Sequence, residues 1–152
     1  MHIETLRDVL KWTQKFHHEL SECMQSCSEK NISQRSQLLL EYLSKHEARL
    51  EKVIESFSKG ADTRALNTWC IEYLEKHPII QHENCNTPFA SLDSRTITEI
   101  IMVQHEQVVA LYKYLRSRAE VSSTIELLQQ LVDVEENTIM QMAVGTNLIE
   151  DM

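Results

Sequence analysis

The sequence predicts an all-α protein: one domain, residues 1–152, in which four long helices form a bundle with a long crossover between the second and the third. Apolar residues recur at spacings of three and four along four long segments, which is typical of helix faces turned toward a core. Two glycines and two prolines among 152 residues are very few helix breakers. A chain of this length can bury a hydrophobic core of its own.

The first two helices are predicted over residues 4–30 and 34–58. The break between them is short and polar, and Ser33 is a suitable N-cap for the second helix. A connection this short predicts an antiparallel hairpin. The core-facing residues of the first helix are Leu6, Leu10, Thr13, His17, Leu20, Met24 and Cys27, and those of the second are Leu39, Leu43, His46, Leu50, Val53 and Phe57.

The crossover follows Gly60 and contains both prolines. Residues 63–76 have apolar side chains at helical spacing and predict a short crossing helix, followed by an irregular loop over 77–92. The connection is more than thirty residues long, enough to travel the length of the bundle and return to the far end. The alternative is that two separate hairpins pair with those of another chain.

The third and fourth helices are predicted over residues 95–119 and 123–149. Asp93 or Ser94 would cap the third, and Ser123 with Glu126 forms a capping-box pattern at the start of the fourth. The stripe of the third helix is Ile101, His105, Val108, Tyr112 and Leu115, with Gln104 fitting nearly as well as His105. The stripe of the fourth is Ile125, Leu128, Val132, Glu135, Ile139, Met142 and Ile149.

Each of the four stripes is interrupted near its middle by one ionisable residue. At about 1.5 Å rise per residue, these positions lie within roughly 3 Å of one plane across the bundle. An ionisable group inside a core is costly unless it is paired or bound to a metal. We therefore predict a metal site with iron, zinc or manganese, mononuclear or dinuclear, because this set mixes nitrogen and oxygen donors. The predicted ligands are His17, His46, His105 and Glu135, with Glu47 as the added carboxylate.

A second interpretation of the same layer needs no metal. Buried polar groups that hydrogen-bond one another can fix the register of packed helices. The protein would then be a helical interaction or dimerisation module. Elemental analysis of protein purified without chelator distinguishes the two interpretations.

The architecture, together with the mid-bundle acids and histidines, resembles the ferritin-like superfamily of dimetal-carboxylate bundles. Members of that superfamily carry Glu on two helices and Glu-x-x-His on the other two. The window 43–46 keeps the histidine of that motif and lacks its glutamate, whereas the window 135–138 keeps the glutamate and lacks the histidine. At the single-acid positions this chain has His17 and His105, with Glu19 and Glu106 nearby. The resemblance implies a ferritin-like bundle, a metal centre with redox-related chemistry, and pairing of two copies along helices one and two.

Composition and motifs limit the partners, cofactors and location that we expect for this protein. The net charge of −8 disfavours a nucleic-acid partner, since phosphate binding needs clustered Lys and Arg. No run approaches the ~18–20 apolar residues of a membrane span. There is no glycine-rich phosphate loop, nucleophile elbow or Cys-x-x-Cys, so no nucleotide or organic cofactor is indicated. We expect a cytoplasmic homodimer in which Trp12 and Tyr42 are outer residues of the first hairpin, and in which Cys23 and Cys27 are small buried thiols.

Overall fold

The structure is a computed structural model and describes residues 3–70 and 89–152. Five helices lie in these two ranges, and the β-type pairing found there is one isolated antiparallel bridge between Thr5 and Trp69. The prediction of an all-α protein is confirmed for this part of the chain. The helices are α1 Leu6–Ser28, α2 Gln34–Gly60, α3 Thr63–Leu66, α4 Ser94–Arg118 and α5 Ser122–Glu150.

Side-chain caps set the starts of two long helices as predicted. Ser33 accepts a hydrogen bond from the backbone N–H three residues later, at the start of α2. Asp93 does the same for α4, at 2.8 Å. The predicted capping box of Ser123 and Glu126 is wrong, because α5 begins one residue earlier, with Val121 at the N-cap position. Ser123 therefore lies inside the first turn, where its hydroxyl cannot cap the helix.

The predicted crossing helix is helical only over Thr63–Leu66 among the residues described. The next residues are tied to the amino-terminal segment instead: the Leu6 amide donates to the Thr68 carbonyl at 2.8 Å, and the Cys70 amide donates to the Glu4 carbonyl at 2.7 Å. These backbone bonds hold 68–70 extended, so the helical prediction is wrong there. The remainder of that prediction, 71–76, and the predicted loop up to 88 lie outside the described residues.

Cross-helix contacts give the relative directions of the four long helices. In four pairs of helices, residues of increasing number on one helix contact residues of decreasing number on the other. Helix α1 is therefore antiparallel to α2 and α4, and α5 is antiparallel to the same two helices. It follows that α2 and α4 run in one direction and α1 and α5 in the other. The contacts are Ser21–Ser44 and His17–Glu47 for α1 with α2, Thr13–Tyr112 and His17–His105 for α1 with α4, Thr98–Thr146 and Arg116–Gln129 for α4 with α5, and Tyr42–Gln141 with Phe57 near Ser123 for α2 with α5.

All four long helices contribute to one hydrophobic core. Its largest fully buried side chains include Tyr112, Phe16 and Phe89. Cys27 and Cys70 are buried thiols, whereas Cys23 is disulfide-bonded, so the prediction of a free thiol is wrong for Cys23. None of the described helices has both the length and the apolar character needed to cross a membrane.

Close packing of α2 against α5 depends on one glycine. A Cβ atom placed on Gly145 would lie 2.2 Å from the ring of Tyr42, a separation that nonbonded atoms do not tolerate. The Tyr42 hydroxyl donates to the Gln141 carbonyl at 2.7 Å, and its ring meets His46 edge to face. Tyr42 thus packs between two helices of its own chain.

Candidate metal centre

Four side chains, one from each long helix, form a closed ring in the middle of the core. His17 on α1 contacts Glu47 Oε2 through Nδ1 at 2.6 Å and Glu135 Oε1 through Nε2 at 2.7 Å. His105 on α4 contacts Glu135 Oε2 through Nδ1 at 3.0 Å and Glu47 Oε1 through Nε2. Each imidazole therefore lies between two carboxylates, and each carboxylate lies between two imidazoles. We call these four residues the His/Glu ring.

The His/Glu ring has an internal two-fold pattern. Within each hairpin the histidine Nδ1 meets the glutamate 30 residues later, whereas Nε2 meets the glutamate of the other hairpin. An offset of 88 residues relates His17 to His105 and Glu47 to Glu135. The same offset relates the first residues of α1 and α4, Leu6 and Ser94, and those of α2 and α5, Gln34 and Ser122. The two hairpins thus present the same residue types at equivalent depths.

Apolar neighbours isolate the ring from solvent. The side chains of its members are 0–1% exposed. The two imidazoles stack at 5.1 Å between ring centroids, and Phe16 meets His17 edge-on. One layer away, the Tyr112 hydroxyl donates to Thr13 Oγ1 at 3.0 Å, and Thr13 donates to the Leu10 carbonyl. Groups in such a dry environment interact more strongly than they would in water.

Contacts within the ring raise the pKa of its histidines and lower the pKa of its glutamates, so all four members favour their charged forms. Burial by itself lowers the pKa of a histidine, but the two adjacent carboxylates outweigh burial and raise the pKa of His17 to about 9 and that of His105 to about 10. Burial likewise opposes ionisation of the glutamates, yet the two imidazoles lower the pKa of Glu47 to about 2 and also lower that of Glu135. With both imidazoles protonated, four N–H donors face four carboxylate oxygens and the ring has no net charge.

The structure brings together four of the five predicted metal ligands: His17, Glu47, His105 and Glu135. It does not place His46 in the ring. The His46 side chain is 9% exposed, and its imidazole packs edge-on against Tyr42 at 4.5 Å between centroids. Burial, followed by the nearby Arg49, lowers the pKa of His46 and favours its neutral form. Adjacent residues on a helix point about 100° apart, so His46 and Glu47 cannot both face one centre.

The other candidates near the layer lie outside the ring. Gln104 is buried beside His105, but its Oε1 atom has no hydrogen-bond partner among the described residues. Glu19 lies 3.8 Å from Lys15 on the surface, and Glu106 is exposed. Of the acids near this layer that the sequence analysis named, only Glu47 and Glu135 belong to the ring.

A sequence signal that selects Glu47 over His46 was present in the chain. The spacing from His105 to Glu135 is 30 residues, and applying the same spacing from His17 reaches Glu47. The periodicity of the second stripe alone does not show this shared spacing, because His46 also fits its three-and-four spacing. Comparing the two hairpins with each other reveals it.

The donor geometry suits one metal ion. One ligand atom from each of His17, His105 and Glu135 lies within 4.8 Å of the others. The nitrogens that face Glu135 are His17 Nε2 and His105 Nδ1. Two histidines and one carboxylate are a donor set used by zinc and non-haem iron, with further coordination positions left for water or substrate. The residues present therefore fit a divalent transition metal.

Comparison of this chain with protein-family models, with curated proteins and with solved structures gives no match.

Proposed function

We propose that this protein is a ferritin-like four-helix bundle that binds one divalent transition metal, iron, zinc or manganese, through His17, His105 and Glu135. The helix directions support the fold assignment. Because α2 and α4 run the same way, α2 ends and α4 begins at opposite ends of the helices, as the predicted long crossover requires. One long crossover of this kind distinguishes ferritin-like bundles from simple up-down-up-down winding.

The observation that carries the proposal is the position of Glu47. Metal-bound histidines almost always donate the N–H of the second ring nitrogen to a carboxylate, a carbonyl or water, which fixes the ring and raises its basicity. Here the second nitrogen of each histidine is within hydrogen-bonding distance of Glu47: His17 Nδ1 contacts Oε2 and His105 Nε2 contacts Oε1. One carboxylate thus orients both imidazoles toward the other carboxylate, that of Glu135.

The same arrangement supports one ion per chain. An imidazole that uses one nitrogen for a metal and the other for a hydrogen bond cannot serve a second metal. The two-fold pattern also means that a set of His17, His105 and Glu47, with Glu135 behind it, is chemically equivalent. We assign the ion to the Glu135 side, since those three ligand atoms lie together.

Charge balance is consistent with this assignment. A divalent cation neutralises the two ring carboxylates and leaves both imidazoles neutral. In the metal-free ring, two imidazolium groups have the same effect. Metal binding therefore replaces two protons without leaving net charge in the core, where an uncompensated charge would be costly. Iron or manganese would supply redox chemistry at such a site and zinc would not.

The second candidate function is a metal-free structural lock in an interaction module. One observation favours it: every nitrogen and every carboxylate oxygen of the ring has a partner within the ring. A satisfied buried network of this kind can specify how the helices align. It would need both histidines to remain protonated at neutral pH.

The test is metal content measured by mass spectrometry on protein purified without chelator. We expect about one ion per wild-type chain. Glu135→Gln should lose the ion, and Glu47→Gln should weaken binding by about 10–100-fold, as is usual when a partner behind the ligands is removed. The matched control is His46→Leu, which changes a neighbouring buried histidine and should retain the ion.

Thermal unfolding gives an independent measurement. A metal that binds only the folded state raises the midpoint of unfolding in a concentration-dependent way. Zn²⁺ or Mn²⁺ added to chelator-treated wild-type protein should raise it, and the same addition to Glu135→Gln should not. Absence of metal from the wild type together with no thermal shift would leave the structural lock as the function.

A further inference from the structure

The two sides of the His/Glu ring have different neighbours, although the ring itself has a two-fold pattern. Thr13 lies one turn before the ring histidine of α1, and Tyr112 lies two turns after the ring histidine of α4. The offset of 88 residues that relates the two histidines also relates Thr13 to Ile101 and Met24 to Tyr112. Two hydroxyl groups on one side of the ring thus correspond to two apolar side chains on the other. We call Thr13 and Tyr112 the hydroxyl pair.

The hydroxyl pair is fully buried and its hydrogen bonds form a short chain. Tyr112 Oη donates to Thr13 Oγ1 at 3.0 Å, and Thr13 Oγ1 donates to the Leu10 carbonyl at 3.1 Å. A phenol oxygen can accept as well as donate. The Tyr112 O–H is used on Thr13, and no donor among the described residues bonds to the Tyr112 oxygen. That oxygen therefore has an unused acceptor position inside the core.

Three observations place the Tyr112 hydroxyl on the Glu135 side of the ring. Side chains on a helix lean toward its amino terminus, so Tyr112 reaches back toward the level of His105. Lys113 Nζ lies 2.9 Å from Glu136 Oε1, which places residues 112–113 of α4 beside residues 135–136 of α5. Burial, followed by the carboxylate of Glu135, raises the pKa of Tyr112 well above its ordinary value. Glu135 is thus the ring carboxylate that the phenol faces.

We infer that Tyr112, held in place by Thr13, accepts a hydrogen bond from a water bound to the metal on the Glu135 side, and that this contact determines which side of the ring binds the ion. The inference rests on the proposed function. Three protein ligands leave a coordination position open, and water fills such a position in metal sites of this kind. A metal-bound water is a hydrogen-bond donor, and the unused acceptor position of the Tyr112 oxygen can receive its hydrogen.

The apolar neighbours on the Glu47 side explain why the two sides are not equally suited to the ion. Ile101 and Met24 are both 0% exposed, and neither has a hydroxyl group. A water bound on that side would keep a buried O–H without a good acceptor, which is costly in a dry core. The ring ligands are equivalent on the two sides, so this difference decides between them. Tyr112 is a positioning residue in this scheme and does not bind the metal itself.

The first test is Tyr112→Phe in the full chain, which removes one oxygen and keeps the aromatic ring. Affinity for Co²⁺, measured by competition with a chelator, should fall by about tenfold, as is usual when a hydrogen-bond partner behind the first ligands is removed. The visible absorption spectrum of the bound Co²⁺ should also change, because it reports the ligands around the ion. The matched control is Tyr114→Phe on the same helix, whose ring faces Arg118 at 5.4 Å. Its affinity and spectrum should be those of the wild type.

The second test moves the hydroxyl pair to the other side of the ring. Each of four positions receives the residue of its equivalent, so the composition of the core is unchanged. The substitutions are Thr13→Ile, Tyr112→Met, Met24→Tyr and Ile101→Thr. In the wild-type background, Glu135→Gln should lose the ion and Glu47→Gln should only weaken its binding. In the moved background we expect the reverse, with the ion lost in Glu47→Gln and retained more weakly in Glu135→Gln.

The outcomes separate this inference from the proposed function. If the wild type binds one ion through Glu135 but Tyr112→Phe has the affinity and spectrum of the wild type, the inference is overturned and the proposed function stands. A folded moved variant that still depends on Glu135 also overturns the inference, as do equal effects of Tyr112→Phe and Tyr114→Phe. Circular dichroism checks the fold of the moved variant, and if it is unfolded Tyr112→Phe alone decides. A wild type that binds no metal overturns the proposed function and the inference with it.

Discussion

Replacing His105 with leucine in the metal-free protein tests whether the His/Glu ring is ionised as the geometry indicates. The substitution removes both N–H donors that face Glu47 Oε1 and Glu135 Oε2. The remaining side chains are one imidazolium and two carboxylates, which leaves a net negative charge at 0–1% exposure. Breaking a buried ion pair by removing one partner costs about 3–5 kcal/mol, and we expect a loss of stability in this range at pH 7.5.

The loss should shrink at lower pH. One of the two carboxylates can then take up a proton, and the three remaining groups become neutral overall. We therefore expect the free energy of unfolding of His105→Leu to approach that of the wild type as the pH falls from 7.5 to 5. Urea denaturation of chelator-treated protein, followed by circular dichroism, gives both values.

The control is His46→Leu, which removes a buried histidine that lies outside the ring. Its imidazole contributes an edge-on contact with Tyr42, worth about 0.5–1.5 kcal/mol, and no ring hydrogen bond. Its loss of stability should be small at pH 7.5 and should shrink further as the pH falls, because the lowered pKa of His46 makes its burial unfavourable where an exposed imidazole is protonated. If His105→Leu loses no more stability than His46→Leu at pH 7.5, the ring is not a network of ionised groups and the reasoning fails.

Two further predictions concern pH and packing. In metal-free protein, the pKa of His17 is raised from 6.5 to about 9 and that of His105 to about 10, so these two histidines stabilise the fold fully below pH 6.5 and lose this effect as the pH rises to 10. The pKa of Glu47 is lowered from 4.5 to about 2, so this carboxylate stabilises the fold above pH 4.5 and loses its effect as the pH falls to 2. Urea titrations should therefore give a maximum between pH 4.5 and 6.5, and a stability that rises from pH 6.5 to 9 would contradict this. Gly145→Ala should lower the free energy of unfolding by about 1–2 kcal/mol despite the better helix propensity of alanine, because the Tyr42 ring must leave its site. Gly145→Ala combined with Tyr42→Ala should be no less stable than Tyr42→Ala alone, and an additive loss would refute the clash.

Local patterns were enough to predict most of the helical framework. Spacings of three and four located the four long helices to within two residues at each end. Ser33 and Asp93 were predictable as caps because a side-chain oxygen at a helix start accepts from a first-turn backbone N–H that has no partner within the helix. Where a local pattern competed with a distant contact it failed, as at 68–70, whose backbone is tied to residues 4–6.

Which side chains of the polar layer belong to the His/Glu ring could not be predicted without the fold. His46 and Glu47 are neighbours in sequence, and either fits a helical stripe, so the periodicity of one helix cannot choose between them. In the fold, Tyr42 packs against Gly145 of α5, and the His46 imidazole packs edge-on against Tyr42 and lies outside the ring. Only Glu47 then reaches both His17 and His105.

The sequence by itself determined that the chain is helical, where its long helices begin and end, and that ionisable side chains interrupt each apolar stripe, because these properties depend on residues within a few positions of one another. Only the tertiary structure decided which of those side chains meet, since the His/Glu ring joins residues up to 118 positions apart through the rotation and depth of four helices. The packing of whole helices sets these two variables. A shift of one residue, about 100° of rotation, is enough to exchange a ring member for its neighbour.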